Sequence, residues 1–378
     1  MVVTVVCDVL GAETNGTVVA SRNLINSLKE KGHEVRVLCP EIELMGKEGY
    51  YVVPIHNFGK PLNDYVKKVG VSLAKPDKRI IKQALLGADV VHIIVPLGLG
   101  LATAKIAKKM DIPITAGFHM QAENLTSHLK LDKLWLANYA VYKYIYNHLY
   151  RYCSAIHYPT DFIRGVFETN VKKITNGYVI SNGVHNYVKK RDVPKPEELK
   201  DKIVILSTGR YGREKSQDTL IKAVAQSKYK DKIQIILAGL GPKEKQYKKL
   251  SKKLPIQPIL KVFPREEIID ALNYCDLYVH PADVELEGIA CLEAVACGKL
   301  TIVSDSKLSA TKEFAVDERC IFKKRDPKDL AKVIDFWLDN PKEKKICEQK
   351  YYENANKFDL DECMNKMEQM LLDASKKI

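Results

Sequence analysis

The chain has 378 residues, of which 46% are hydrophobic and 28% are charged. This composition excludes a disordered chain, and the length exceeds what one ordinary core holds, so two domains are expected. Lys and Arg number 60 against 47 Asp and Glu, a net charge of +13. Most of the excess lies before Lys195, which indicates either an acidic partner for that half or simply a solvated surface.

The apolar stretches predict buried strands and no membrane span. The longest uncharged one, Val90 to Ala104, is too short to cross a bilayer and is broken by Pro96. Met1 to Cys7 lacks the basic start and long apolar core of a signal peptide, so we expect a first strand there. The nine cysteines form no Cys-x-x-Cys pair, which favours reduced thiols over disulfides or a zinc site.

In the first half of the chain, β-branched runs alternate with helical patterns. The predicted elements are Val2–Cys7, Thr17–Lys31, Val35–Cys39, Val90–Val95, Gly98–Lys109, Ile114–Phe118, Ile156–Tyr158 and Tyr178–Ile180. Strands that alternate with helices predict a parallel, doubly wound sheet.

The pattern restarts after a polar stretch at Lys189–Lys202 that contains two prolines. The predicted elements of the second half are Ile203–Ser207, Ser216–Ser227, Ile233–Ala238, Lys243–Lys253, Ile259–Val262, Glu266–Asn273, Leu277–Val279, Ile289–Cys297 and Thr301–Val303. We therefore predict an α/β protein with two Rossmann-like domains, 1–190 and 191–357. An amphipathic helix at 358–378 is expected to pack back onto the N-terminal domain.

Ligands of open α/β sheets bind at the carboxyl ends of the strands, so the turns after strands are the places to search. In the first such turn, Gly11 to Thr17, Gly16 lets the backbone approach an anion at the start of a helix. The turn lacks the Gly-x-Gly-x-x-Gly of dinucleotide-binding proteins, which argues against a nicotinamide oxidoreductase. The simpler alternative is a plain tight turn.

The second turn, Ser207 to Lys215, follows the first strand of the second domain. Its Arg210 and Lys215 combine a guanidinium fork with a point charge, which suits a diphosphate. The alternative is ordinary surface charge in a lysine-rich chain.

The third segment runs from Glu285 to Gly298. Glu293 lies in an apolar helix, where a carboxylate is costly without a partner, and a carboxylate can accept both hydroxyls of a diol such as ribose. Glu287, Gly288 and Ile289 open this helix, so their backbone N–H groups can meet phosphate or sugar oxygens.

Taken together, these motifs resemble the retaining glycosyltransferases of family 4, which have the GT-B fold. The resemblance rests on the two carboxylates followed by Ala-Val-Ala-Cys-Gly at 294–298 and on the Arg210/Lys215 loop. The Gly16 turn, Gly117-Phe-His119 and Ile180–Val184 fall in the family's order. The resemblance implies two Rossmann-like domains that face each other across a cleft.

The resemblance also implies a role for each candidate residue. Glu293 would hold the ribose of a nucleotide, and Glu285 would hold hydroxyls of the donor sugar. Arg210 and Lys215 would neutralise the diphosphate leaving group. The catalytic candidates are therefore His119, Arg210, Lys215 and Glu285, and the donor-binding candidates are Gly16, Glu287, Gly288, Ile289 and Glu293.

His119 owes its assignment to the resemblance, which implies contact with the transferring sugar near the reacting carbon. On local evidence alone, the simpler interpretation of a histidine at the end of a buried strand is a residue that packs in the core.

Many members of the family carry an aromatic residue or proline where this chain has Glu287. This difference leaves the identity of the donor sugar open.

The expected reaction moves a hexose, glucose or galactose, from a nucleotide diphosphate sugar, expected to be UDP-linked, to an acceptor with retention. No cofactor or essential metal is expected. The chain's Asp-x-Asp pair, Asp359 and Asp361, opens the terminal helix and is interpreted as a cap.

Two segments of the first half, 60–82 and 130–151, mix basic with aliphatic and aromatic residues. Such a mixture of basic and apolar residues is typical of a helix that lies on an anionic membrane surface. The aliphatic and aromatic residues of each segment can equally form an apolar stripe that faces the core. Gly117 to His128 resembles the branch that glycosylates diacylglycerol, so the acceptor is expected to be a membrane lipid and the enzyme peripheral on the cytoplasmic face.

Other functions stay open. One is a soluble or peripheral glycosyltransferase that acts on a sugar or an envelope polysaccharide precursor. Another is a non-catalytic protein that binds nucleotide sugars. A nucleic-acid partner is disfavoured because the sequence carries no recognition motif for one, and the oligomeric state is left open.

Overall fold

The computed structural model describes residues 1–8, 10–11, 16–57, 59, 74–123, 126 and 134–376. The chain forms two compact units. Unit 1 consists of Met1–Asn182 together with Asp361–Ile378, and unit 2 consists of Gly183–Leu360. Of the two predicted basic segments, residues 60–73 and 130–133 lie outside the described part of the chain.

A parallel sheet forms the centre of unit 1. Its strands are β1 (Val2–Val6), β2 (Glu34–Cys39), β3 (Tyr50–Val52), β4 (Val90–Ile93), β5 (Ile114–Gly117), β6 (Ala155–Tyr158) and β7 (Gly177–Val179). They lie in the order β3-β2-β1-β4-β5-β6-β7, with every neighbouring pair parallel. The direction of winding changes between β1 and β4, which is where a doubly wound sheet offers a crevice to a ligand.

Helices cover both faces of this sheet, as the alternating pattern predicts. They are α1 (Gly16–Glu30), α2 (Lys78–Leu85), α3 (Gly98–Lys109), α4 (Trp135–His148) and α5 (Asp161–Val171). The start of α3 is held by buried Asp8, whose carboxylate accepts from the N–H groups of Leu99 and Gly100, both at 3.1 Å. Burial raises the pKa of Asp8 to about 6 even though these hydrogen bonds oppose the rise.

Unit 2 repeats the architecture. Its strands are β8 (Ile203–Thr208), β9 (Ile233–Ala238), β10 (Ile259–Lys261), β11 (Leu277–His280), β12 (Val284–Glu285), β13 (Thr301–Ser304), β14 (Leu308–Ser309) and β15 (Ile321–Phe322). Six of them form a parallel sheet in the order β10-β9-β8-β11-β13-β15, and β12 pairs with β14. The two doubly wound parallel sheets confirm the predicted fold class.

The helices of unit 2 bury their apolar faces on this sheet. They are α6 (Gln217–Val224), α7 (Glu244–Ser251), α8 (Arg265–Tyr274), α9 (Ile289–Ala296), α10 (Pro327–Asp339) and α11 (Pro341–Asn354). Trp337 of α10 is fully buried in this core, and its indole N–H donates to the carbonyl of Arg319 at 3.2 Å.

The described structure divides the units at Asn182–Gly183, eight residues before the expected boundary. The boundary lies at this earlier position because the side chains of Val184 and Val188 pack in the hydrophobic core of unit 2. The polar, proline-containing stretch that suggested a linker therefore lies inside unit 2.

The last helix, α12 (Leu360–Ser375), belongs to unit 1 from Asp361 onward. Its apolar stripe, Leu360, Met364, Met367 and Leu371, is buried. On its polar side Glu368 contacts Lys31 at 2.6 Å and His33 at 2.8 Å. Apolar burial, the Lys31–Glu368 ion pair and the His33–Glu368 hydrogen bond together hold the helix on α1 and the start of β2.

Candidate functional site

The loop between β8 and α6 carries two of the predicted cations. It packs backbone to backbone against the loop after β9, and a Cβ on Gly239 would lie 2.1 Å from the carbonyl oxygen of Gly209. Gly239 also has a φ of +157°, so only glycine fits there. Arg210 is exposed, and its guanidinium pairs with Glu214 at 2.7 Å.

Lys215 lies at the other end of this loop and forms an ion pair with Glu285. The same carboxylate oxygen of Glu285 lies 2.8 Å from Nε2 of His280. Because an ionised carboxylate only accepts hydrogen bonds, His280 must carry its proton on Nε2. Nδ1 of His280 lies 3.2 Å from the hydroxyl oxygen of Tyr278. The Lys215–Glu285–His280 cluster is thus a connected set of charges and hydrogen bonds.

The cluster keeps Glu285 ionised. Burial on its own would raise the pKa of this carboxyl, but the Lys215 ammonium and the hydrogen bond from His280 outweigh burial and hold the pKa at about 2. At neutral pH, Glu285 is therefore an acceptor for hydroxyl groups and not an acid. Sequence reasoning missed His280, although its place at the end of β11 parallels that of His119 after β5.

Helix α9 begins beside this cluster. Its N-cap is Gly288, with φ +88° and ψ 64°. A Cβ at this position would lie 2.8 Å from Cγ2 of Thr311 and 3.7 Å from the carboxyl carbon of Glu285. Gly288 and Ile289 therefore bring the start of a helix to Glu285, while the preceding Glu287 is buried at 3% exposure.

Glu293 lies on α9, the apolar helix predicted at this place, and is also buried. Its carboxylate pairs with the guanidinium of Arg265, the first residue of α8, at 2.6 Å. Burial would lower the pKa of Arg265, but the bond to Glu293 raises it. Sequence reasoning missed this partner, because Arg265 stands in the charged run Arg265-Glu266-Glu267 that resembles a solvated helix start.

The remaining predicted residues lie in unit 1. Gly16 is the first residue of α1, and residues 12–15 of its turn lie outside the described part. His119 follows β5 and is buried, and its ring meets that of His157 edge to face with 5.2 Å between centroids. A Cβ on Gly117 would lie 2.5 Å from the His119 ring, so the glycine makes room for it.

His119 lines a small pocket within unit 1 together with His92, His157 and Asn182. Burial lowers the pKa of His119, and the neighbouring His157 and His92 lower it further. The ring of His119 is therefore neutral at physiological pH and suited to a hydrogen bond rather than to an ion pair.

The structure of α4 and of the turn after it decides in part whether the apolar stripe of segment 130–151 faces the core or a membrane surface. Tyr142 and Tyr150 are buried and pack with Phe118 and Phe167, so this end of the stripe faces the core. At the other end, Leu134, Trp135 and Leu136 are 55%, 70% and 62% exposed. The helix therefore presents a run of three apolar side chains, 134–136, to solvent.

Two doubly wound parallel sheets, with a cationic loop after the first strand of the second, are the architecture of the GT-B glycosyltransferases. Family models agree: residues 14–186 match "Glycosyltransferase Family 4" and residues 188–357 match "Glycosyl transferases group 1". These matches span nearly the whole chain. The chain belongs to the family 4 glycosyltransferases, which confirms the predicted family.

Two curated relatives match the chain at 25% identity. The chain is 25% identical over 227 residues to an alpha-monoglucosyldiacylglycerol synthase of Streptococcus pneumoniae, a match that covers 56% of this chain and 50% of the synthase. It is 25% identical over 310 residues to a GDP-mannose-dependent alpha-mannosyltransferase of Corynebacterium glutamicum, covering 80% of this chain and 72% of that protein. The chain thus spans about half the length of the first of these relatives.

Among solved structures, HepE of Anabaena in complex with UDP-glucose superposes with a TM-score of 0.74 at 17% identity. The match covers 99% of this chain and 100% of HepE, and at this identity it shows the fold alone.

The described residues contain neither a cluster of metal ligands nor a membrane-spanning helix. In that part of the chain, no three His, Cys, Asp or Glu side chains are placed to hold a metal ion. Likewise, none of the helices described there combines the length and apolar character needed to cross a membrane.

Proposed function

We propose that this protein is a retaining glycosyltransferase that moves a hexose from a UDP-sugar to a membrane lipid such as diacylglycerol, giving an α-glycolipid. The observation that carries the proposal is the Lys215–Glu285–His280 cluster, which joins a loop cation to an ionised acid at the start of α9. The proposal includes no essential metal and places the enzyme on the cytoplasmic face of the membrane.

The cluster can stabilise a nucleoside diphosphate as it leaves the sugar. An ammonium group has three N–H donors, so Lys215 can keep its bond to Glu285 and still donate to diphosphate oxygens. Charge on these oxygens grows as the bond to the sugar breaks, and a fixed cation stabilises that state more than the ground state. Arg210 adds a second cation, because its exposed pair with Glu214 is weak and readily exchanged.

The carboxylate of the cluster, Glu285, can bind the transferred sugar. Glu285 is ionised and has two oxygens, and only one of them contacts Lys215 and His280. We propose that the carboxylate accepts hydrogen bonds from hexose hydroxyls, and that the N–H groups opening α9 at Gly288 and Ile289 contact the donor. Glu287 would complete this donor-binding set, together with Gly16 for the diphosphate and Glu293 for the ribose of the nucleotide.

His119 has the properties of a group that contacts the transferring sugar. It is buried and neutral, and its ring is fixed between Gly117 and His157. A neutral ring nitrogen can hydrogen-bond a sugar hydroxyl without opposing the positive charge that develops on the sugar ring.

The lipid acceptor is supported by the exposed apolar run 134–136 and by the synthase of S. pneumoniae, whose name includes diacylglycerol. An apolar helix end flanked by a basic domain suits insertion into an anionic interface. Vesicle flotation tests this directly. The variant Leu134→Ser/Trp135→Ser/Leu136→Ser should lose most binding to anionic vesicles at low salt.

The matched control for flotation is Ile174→Ser, which removes an apolar side chain that is 92% exposed elsewhere in unit 1. It should float like the parent protein. If the parent does not float, or if both variants float equally, the membrane surface is not at 134–136.

Product analysis tests the reaction itself. UDP-glucose, UDP-galactose and GDP-mannose are each incubated with diacylglycerol, and the products are examined by mass spectrometry and anomeric NMR. We expect an α-hexosyl lipid from a UDP-sugar, and we expect Lys215→Ala and Glu293→Ala each to remove most transfer while the fold is kept. Near-normal turnover in either variant would contradict the site assignment.

A second candidate function is supported by the mannosyltransferase of C. glutamicum, which matches a larger share of this chain than the synthase does. In that case GDP-mannose would be the donor, and transfer would occur to a sugar or polysaccharide precursor. The same donor panel with sugar acceptors distinguishes the two. A protein that binds donors without turnover would give nucleotide binding and no product with any acceptor.

A further inference from the structure

The strongest feature outside the predicted motifs is the pairing of Arg265 with Glu293. One terminal nitrogen of the guanidinium lies 2.6 Å from Oε1 of the carboxylate, while the side chains of Arg265 and Glu293 are 42% and 11% exposed. The two residues come from different helices, α8 and α9. The pair therefore fixes the acid of one helix from the end of another.

Arg265 is itself held in place. Its guanidinium lies over the ring of Tyr187 at 5.9 Å from the centroid, and that ring stacks on His185 with 4.9 Å between centroids. A planar guanidinium against an aromatic face loses rotational freedom, so the direction in which it presents its N–H groups is set. The chain of contacts from His185 to Glu293 lies wholly within unit 2.

A carboxylate on an apolar helix needs both a compensating charge and a fixed direction to recognise a diol. Arg265 contacts Oε1, and a carboxylate has lone pairs for about four hydrogen bonds, so Oε2 can accept from hydroxyl groups at the same time. Without Arg265, the carboxylate would lose its counter-charge and would turn toward any other donor within reach.

We infer that Arg265 is a positioning residue that aims the carboxylate of Glu293 at the ribose diol of the nucleotide donor. The inference rests on the proposed ribose-binding role of Glu293. It adds that the guanidinium of Arg265 fixes the direction in which this carboxylate accepts the ribose hydroxyls. It predicts a specific defect, which is loss of discrimination between ribose and deoxyribose rather than general loss of nucleotide binding.

The experiment compares the affinities of UDP and 2′-deoxy-UDP, measured by isothermal titration calorimetry on the full chain. The parent protein should bind UDP about 10-fold or more tightly than 2′-deoxy-UDP, since a hydrogen bond to a charged group is removed. GDP and 2′-deoxy-GDP replace this pair if the donor panel identifies GDP-mannose. In Arg265→Met the ratio should fall toward one, and in Arg265→Lys it should fall in part.

Arg191→Met is the matched control. Arg191 also belongs to unit 2, is 43% exposed and pairs with Asp270 at 3.6 Å, so its loss removes a similar charge elsewhere on the surface. This variant should keep the parent ratio. Circular dichroism and thermal melting check that each variant is folded, and Arg265→Lys carries the test if Arg265→Met does not fold.

Glu293→Gln separates failure of the inference from failure of the proposed function. If this variant loses discrimination while both Arg265 variants keep it, Arg265 is not a positioning residue and the ribose role of Glu293 stands. If Glu293→Gln keeps the parent ratio, Glu293 does not hold the ribose, and the inference is overturned together with that part of the proposed function.

Discussion

The ion pair between Lys215 and Glu285 offers the sharpest test of the candidate site. The two side chains are 22% and 11% exposed, so Lys215→Met removes the ammonium and leaves a buried carboxylate with the hydrogen bond from His280. Leaving one partner of a buried pair without its counter-charge is strongly destabilising. We therefore expect this substitution to cost stability as well as activity.

The magnitude follows from the pKa of Glu285. It lies at about 2 instead of 4.5, and since a tenfold change in proton affinity corresponds to about 1.4 kcal/mol, ionised Glu285 stabilises the folded state by about 3 kcal/mol. Part of this comes from His280, so Lys215→Met should lower the free energy of unfolding by roughly 1–3 kcal/mol at pH 7.5.

The pH dependence of this loss has a definite sign. In the parent protein the stabilisation by Glu285 is complete above pH 4.5 and is lost as the pH falls toward about 2. In Lys215→Met, burial is no longer offset by the ammonium, so the pKa of Glu285 rises. The deficit relative to the parent should therefore be largest at pH 7.5 and should shrink as protonation removes the buried charge below pH 4.5.

Urea unfolding followed by tryptophan fluorescence measures this change. The chain has two tryptophans, and Trp135 is 70% exposed whereas Trp337 is buried in unit 2. In a Trp135→Phe background the fluorescence reports on unit 2 alone. The double variant Lys215→Met/Glu285→Gln should regain most of the lost stability without regaining transfer. A deficit that persists in the double variant, or none at pH 7.5, would refute the reasoning.

Two other predictions use backbone geometry and buried histidines. Gly288→Ala should lower the free energy of unfolding by about 1–3 kcal/mol, because its φ is +88° and the new Cβ would meet Thr311 at 2.8 Å. Gly165 lies in α5, and a Cβ there would have nothing within 4 Å. Gly165→Ala should therefore raise the free energy of unfolding by about 0.5–1 kcal/mol. Equal shifts in the melting temperatures of the two variants would contradict this prediction. Stability should fall as the pH drops from 6.5, because burial lowers the pKa values of His92 and His157 to about 3 and 4, so the unfolded chain binds the protons. His92→Gln should flatten that decline in urea unfolding between pH 7 and pH 5, and an unchanged slope would count against it.

Sequence patterns predicted the sheets well because buried parallel strands leave a strong signal. Runs such as Val2–Val6 and Ile233–Ala238 are nearly continuous in apolar residues, as strands covered on both faces require. The helix pair α10–α11 was not predicted. In α11 only Cys347 and Tyr351 are buried, so its lysine-rich sequence carries little helical periodicity and is recognisable only once its place on the core is known.

The candidate site was predicted where its residues are close in sequence. Arg210 and Lys215 share one loop, and Glu285 and Glu293 share one segment, so spacing alone relates them. Partners from distant segments were missed. Arg265 lies 28 residues before Glu293 and reaches it only because α8 and α9 converge in the folded unit, which no local pattern shows.

The pairs in unit 2 also divide the proposed diphosphate cations into two kinds. Arg210 pairs with Glu214 on the surface of the same loop, and exposed pairs of this kind contribute only about 0.2–1 kcal/mol. A diphosphate can therefore replace Glu214 as the partner of Arg210 at little cost in free energy. Lys215 is held by the carboxylate of Glu285, which is 11% exposed, and this contact together with the hydrogen bond from His280 holds the pKa of that carboxyl at about 2. A cation fixed in this way needs no rearrangement when charge develops on the leaving group, and preorganisation of that kind is what lowers a reaction barrier. Lys215 is therefore the residue whose loss should affect the chemical step, whereas loss of Arg210 should act chiefly on donor affinity.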